Sequence, residues 1–293
     1  MRVTQSMQQR QVNANLGRTL QVFTKAQQEA STGNRFDRVS EDPLNASRTL
    51  FANADQRAVD QYRRNISSGR ARLDAEESVL GQVTEILDRA REVGTAQGSG
   101  TASAASRLAA AAEVSRMIDQ VASLGNATLN GEYIFGGHAS TTRPFDVSGS
   151  VITYAGDTGV REAEADDGYV IPVSTSGQEL LIDTAVLQRL VEMRTALEAN
   201  DDQGVRTALG ELEPTFNAVQ TLLTRNGARG RQLELAQARL AAREGSLDAT
   251  IREARGADLA EAITRMTAAQ NALEAAYGTT SRMLQLNLTD YLR

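Results

Sequence analysis

The stretch Ser40-Glu41-Asp42-Pro43-Leu44-Asn45-Ala46 decides how the chain is read. An aspartate before a proline marks a helix start. The carboxylate can accept orphan amides of the first turn, and proline suits that turn because its missing N–H has no partner there anyway. Downstream, Tyr62, Ile66, Leu73, Leu80, Val83, Leu87 and Ala90 recur on alternating steps of four and three, with Gly69 and Glu76 as the misfits. This spacing puts one apolar stripe on one helix face. A helix from Pro43 to Val93 would be about 75 Å long at 1.5 Å per residue, so an elongated molecule is expected.

The same periodicity lies on both sides of this helix. Val12, Leu16, Thr19, Phe23, Ala26 and Ala30 step by 4, 3, 4, 3, 4, before Ser31-Thr32-Gly33-Asn34 interrupts them. Gly94, Gly98 and Gly100 predict a loop. A helix is predicted near Ala104 to Gly125, with Leu108, Ala111, Ile118 and Val121 as core candidates. Asn130-Gly131 signals a turn, with a strand following at Tyr133-Ile134-Phe135.

From Gly136 to Gln178 the composition shifts to Gly, Thr, Asp and short β-prone runs, Val151–Tyr154 and Tyr169–Val173, which predicts a small β-rich insert. Helical patterning resumes near Thr184. Val205, Leu209, Leu212, Phe216, Val219 and Leu223 keep the 4/3 spacing, although Pro214 should break or kink that stretch. A further helix is expected from near Arg229 to Gln285, carrying Leu259, Ile263, Met266, Leu273, Tyr277 and Leu284 on one stripe.

The fold class is therefore mainly α with a small β-rich insert: an elongated antiparallel bundle of N- and C-terminal segments. The expected domains are a terminal coiled-coil assembly domain (1–35 and 256–293), a helical rod domain (36–135 and 184–255) and a small β-rich outer domain (136–183).

Composition narrows the function. The 293 residues carry a net charge of −6, with Lys25 the sole lysine, which argues against a general nucleic-acid footprint. No cysteine is present, so disulfides, thiol chemistry and cysteine–metal sites are excluded. The first residues hold no apolar signal-peptide core, and no run of 18 apolar residues suggests a membrane span.

His138, the single histidine, stands between Gly137 and Ala139 and reads as a polar loop residue. No Gly-x-Ser-x-Gly or Gly-Lys-Ser/Thr run occurs. Glu162, Glu164, Asp166 and Asp167 precede Gly168 out of register for a calcium loop and read as a surface loop. No catalytic, cofactor or metal site is expected.

The terminal segments hold few large apolar side chains. Burying each yields roughly 1.5–3 kcal/mol, while ordering the backbone costs about 1–2 kcal/mol per residue. Such ends are expected to order on assembly with other chains. Val12, Leu16, Phe23, Leu259, Ile263, Met266, Leu273, Tyr277 and Leu284 are the candidates for packing between subunits.

These residues carry a resemblance. Ser31–Arg35 with Ser40–Arg48, then Ser78–Thr84, Asn130–Gly137 with Pro144-Phe145, Asp258–Ile263 and Leu273–Tyr277 resemble, in order, the motifs of the hook-associated protein 3 family, of the bacterial flagellin type. Asp42, Pro43, Asn45 and Arg48 match the N-terminal motif. Glu41-Asp42-Pro43-Leu44 replaces the Lys-Asp-Asp-Ala-Ala-type run of ordinary flagellins, and the end, Met283–Leu292, also looks more like the junction type.

The resemblance implies a flagellin-like fold and a structural role in the flagellum. It also implies a ring of copies joining another hook-associated protein, on the hook side, to flagellin on the filament side. Type III export without signal cleavage, with an export chaperone holding the C-terminal segment, follows from it too, and so does an extracellular location. Short flagellins of similar length remain an alternative. A soluble helical binding protein would instead have ordered termini in free solution.

Overall fold

The computed structural model describes residues 5–148 and 151–291. The chain is mainly helical, with a small β insert. Helices α1 (Gln5–Thr32), α2 (Pro43–Gln97) and α3 (Ala104–Gly125) come first. Six short strands follow: β1 (Thr128–Leu129), β2 (Glu132–Tyr133), β3 (Phe145–Ser148), β4 (Val151–Tyr154), β5 (Glu162–Asp166) and β6 (Tyr169–Pro172). A single π-helical turn, Gln178–Asp183, leads into α4 (Val186–Glu198), α5 (Asp202–Arg255) and α6 (Leu259–Tyr291). The strands pair as three antiparallel hairpins, β1–β2, β3–β4 and β5–β6. Asn130 and Gly131, both at positive φ (54° and 83°), make the turn of the first.

The chain divides into two compact units: a terminal unit (Met1–Arg57 and Arg243–Arg293) and a central unit (Ala58–Ala242). The central unit has a core of large side chains. Leu73, Leu80, Val83 and Leu87 of α2 are fully buried, as are Val114, Ile118 and Val121 of α3, Leu187 and Leu190 of α4, and Leu212 and Val219 of α5. Phe135, just before the insert, and Phe145 within it close the core, both fully buried.

The two misfits in the α2 stripe are part of this packing. Gly69 is buried with Ala163 and Val173 against it, and Glu76 is fully buried with the Thr175 amide donating to its carboxylate.

Several expectations need correction. Leu108 is not a core residue; it is 62% exposed, and Arg107 is buried instead. The α3 turn is set by Arg107, which donates to Gln97 O, Ser99 O and Asn200 Oδ1. The loop expected from Gly94 starts later, because α2 continues to Gln97; at Gly94 a Cβ would meet Met193 Cε at 2.8 Å. The strand expected at Tyr133-Ile134-Phe135 ends at Tyr133. The acidic run Glu162–Asp166 is a strand rather than a loop: Ala163 and Ala165 point inward and are buried, while Glu162 and Glu164 point out.

Pro214 does not interrupt α5. The wholly buried Leu212 and Val219 pin the helix on both sides of it, and such packing overrides local propensity. The break in the C-terminal half comes instead at Gly256–Asp258. Gly256 N donates to Arg252 O as α5 closes, and Asp258 Oδ1 accepts the Ala260 and Glu261 amides at 2.9 and 3.2 Å as α6 begins. The single helix expected from near Arg229 to Gln285 is therefore two, α5 ending at Arg255 and α6 starting at Leu259, because Gly256 stops the one and the Asp258 carboxylate caps the other.

Candidate assembly surface of the terminal unit

The terminal unit is organised around the turn after α1. Gly33, at φ +69°, ends that helix in the left-handed conformation. The chain then pairs with the α5–α6 joint: Arg35 N donates to Arg255 O at 2.8 Å, and Ala257 N donates to Gly33 O at 2.8 Å. The Arg35 guanidinium reaches both Ala254 O (3.1 Å) and Asp42 Oδ2 (3.2 Å).

Asp42 caps α2. Its Oδ1 accepts the Asn45 amide at 3.1 Å, and its Oδ2 accepts Asn45 Nδ2 at 2.7 Å. These bonds, and the charge of Arg35, hold the Asp42 carboxyl below the usual carboxylate range. Pro43 is the first residue of α2 and Arg48 is exposed on its surface. Three of the four motif residues thus define a helix start, and the fourth is presented to solvent.

Helix α6 packs along α1, and Arg265 Nη2 lies 2.9 Å from the carboxylate of Glu29, which is buried. The α1 stripe faces inward as its spacing requires: Val12, Leu16, Thr19, Phe23 and Ala30 are half-buried and Ala26 is buried. On α6 the inward register is Ala262, Met266, Ala269, Leu273, Ala276 and Thr280. The stripe expected from sequence mixes this register with its neighbour. Met266 and Leu273 face inward, whereas Leu259, Ile263 and Tyr277 are about half exposed, at 50%, 52% and 52%. Alanine carries too little apolar weight to reveal the inward face, so the larger residues one step away dominate the pattern. The side chains of Leu284 and of the stretch Met283–Leu292 lie outside the described residues.

The unit buries little of its own apolar volume. Its buried apolar side chains, among the described residues, are Phe36 and the alanines 26, 46, 52, 254, 262 and 269. Its large apolar side chains are largely on the outside. Leu20 and Val22 of α1, Val39, Leu44, Leu50 and Phe51 around the start of α2, and Leu259, Ile263 and Tyr277 of α6 are all exposed, Phe51 at 74%.

The residues tested for chemistry stand elsewhere. His138 is exposed in a turn, where its amide and those of Ala139 and Gly159 all donate to the Asp157 carboxylate. No cluster of three or more His, Cys, Asp or Glu is placed to hold a metal among the described residues, and no helix among them is long and apolar enough to cross a membrane.

With this geometry in place, comparison with known proteins defines the class. Residues 3–140 match the bacterial flagellin N-terminal helical region and residues 209–292 match the bacterial flagellin C-terminal helical region. The chain belongs to the bacterial flagellin family.

Within that family it is similar to flagellar hook-associated protein 3 of Salmonella typhimurium, 32% identical over 147 residues, which are 50% of this chain and 46% of that protein. It is also similar to flagellar hook-associated protein 3 of Escherichia coli, 34% identical over 124 residues, which are 42% of this chain and 39% of that protein. The chain thus spans less than half the length of these curated relatives. A solved structure of a putative flagellar hook-associated protein from Vibrio parahaemolyticus superposes with a TM-score of 0.68 at 22% identity, covering 74% of this chain and 100% of that one. At that identity the likeness bears on the fold.

Proposed function

We propose that this chain is a structural component of the bacterial flagellum that forms the junction between hook and filament. In this reading a ring of copies meets another hook-associated protein on one side and flagellin on the other. The observation that carries it is the inverted packing of the terminal unit, with alanines inside and Leu259, Ile263, Tyr277 and Phe51 outside. A surface of this kind gains its burial from neighbouring chains. The similarity to hook-associated protein 3 supports the junction over the filament as the place of assembly.

In this proposal 1–35 and 256–293 form the assembly domain, 36–135 and 184–255 the rod domain, and 136–183 the outer domain. Val12, Leu16, Phe23, Met266 and Leu273 pack within the unit and against neighbours, and Leu259, Ile263 and Tyr277 against neighbours. The chain leaves the cell by the flagellar export route, escorted by a chaperone on its C-terminal segment. It acts outside the cell as a mechanical adaptor, without turnover.

The test is complementation of a deletion strain. The wild-type chain should restore filaments. A Leu259→Arg/Ile263→Arg double variant should be exported yet leave hooks without filaments, with flagellin shed into the medium. Filaments of normal length and number from that variant would refute the assignment of the surface. Long filaments built by the purified wild-type chain alone on a seed would favour the filament subunit instead.

A further inference from the structure

We propose that Glu76 is a proton-sensitive latch fastening the return limb of the β insert, residues 173–177, to α2. The limb leaves β6 after Pro172 and enters the π-helical turn at Gln178. All five of its residues are buried, three of them the polar Ser174, Thr175 and Ser176. Buried polar groups demand partners. Ser174 Oγ accepts the Arg161 amide at 2.7 Å, Ser174 O accepts Arg229 Nη1 at 3.1 Å, and Gly177 N donates to Phe135 O at 2.9 Å. The link to α2 is the Thr175 amide, which lies 3.1 Å from both Oε1 and Oε2 of Glu76.

Glu76 has no accessible surface, and burial outweighs the groups that favour its charge. On its own helix, Arg72 Nε is 3.8 Å away, while Arg72 Nη2 donates to Ile134 O. From α5, Arg229 contributes at a distance while bonded to Ser174 O. Arg161 and Glu132 act on Arg72, and Arg225 and Glu179 on Arg229. A carboxylate so placed is shifted toward its neutral form, because burial penalises the charge more than the Thr175 bonds, Arg72 and Arg229 together offset it. Its pKa is pushed up by that burial to about 7, the Thr175 amide and Arg72 opposing.

When the limb lifts, water reaches Glu76 and its ordinary value of 4.5 returns. The docked state therefore holds the proton more tightly than the open state. Docking is strongest below the ordinary value and weakens as pH rises through about 7. The proton comes from solvent, and the neutral carboxyl still offers its carbonyl oxygen to Thr175.

The test is amide exchange of the full chain between pH 5.5 and 9, corrected for the intrinsic pH dependence of exchange. In the wild type, the opening equilibrium at Thr175 should rise on the order of 10- to 100-fold over that range, about tenfold for each pH unit climbed below the docked-state pKa. In Glu76→Gln it should be flat, while Val114 and Ile118 of α3 keep their protection in both proteins. Direct titration of the Glu76 side-chain carboxyl by carbon NMR in the wild type is independent of the variant and should show a midpoint near neutrality. A midpoint in the ordinary carboxylate range, or a wild-type Thr175 opening that ignores pH, would overturn the latch. A Gln variant that follows the wild-type pH curve would do so as well.

Discussion

Gly69 and Val173 approach so closely that a methyl group on Gly69 would lie 2.8 Å from Val173 Cγ1, and 3.3 Å from the Cβ of Ala163. A helix interior normally gains about 0.5–1 kcal/mol when glycine becomes alanine. At position 69 the crowding should outweigh that gain, since overpacking costs roughly 1–3 kcal/mol. Gly69→Ala is expected to lower the midpoint of thermal unfolding, whereas Gly81→Ala, on the same helix with nothing within 4 Å of its would-be Cβ, should raise it.

Leu108 and Ile118 both lie on α3, and both fit the helical pattern in the sequence. Leu108 is exposed and Ile118 is 1% exposed. Ile118→Ala should cost about 2–5 kcal/mol through the cavity it leaves. Leu108→Ala should stay within about 0.5 kcal/mol of wild type, as surface changes do. Urea titration of the two variants separates them.

Pro214 is exposed within the uninterrupted α5, where it supplies no amide to the carbonyl four residues back. Pro214→Ala restores that bond. Against this stands the loss of proline's restraint on the unfolded chain. A net gain of about 1–2 kcal/mol is expected, since a helix-interior proline is about 3 kcal/mol worse than alanine. Denaturant unfolding checks it, and a loss of stability would show that the proline is needed for the path of the helix.

The Asp42 carboxyl is depressed by its bonds to Asn45 and by Arg35, so the stability it confers is present above the ordinary carboxylate value and disappears as pH falls through its lowered one. Asp42→Ala should fray the first turn of α2 at neutral pH, read as faster exchange at the Asn45 amide. Wild-type protein should show the same fraying only in strong acid. The Glu76 carboxyl is shifted the opposite way, so its contribution is lost as pH rises rather than as it falls.

Most of the helical architecture was legible because large apolar residues recur at helical spacing, and because Asp42-Pro43 marks where α2 begins. What escaped the pattern did so for physical reasons. Pro214 obeys tertiary packing rather than its own preference. The inward face of α6 is built from Ala262 and Ala269, which a search for large residues passes over in favour of Leu259 and Ile263. The arginine bonds that join Arg35 to Ala254 and Arg255 link positions far apart in sequence, and no local periodicity encodes them. Gly69 and Glu76 were visible as breaks in a stripe, but their partner, the limb at 173–177, lies about 100 residues away.

The account rests on a terminal unit whose helices gain their stability from neighbouring copies. Hydrogen exchange at residues 10–30 and 260–280, compared between dilute monomer and the assembled state, tests this most directly. The prediction is fast exchange in the monomer, strong protection on assembly, and a central-unit core slow in both. Terminal helices exchanging in the monomer as slowly as Val114 and Ile118 would contradict it.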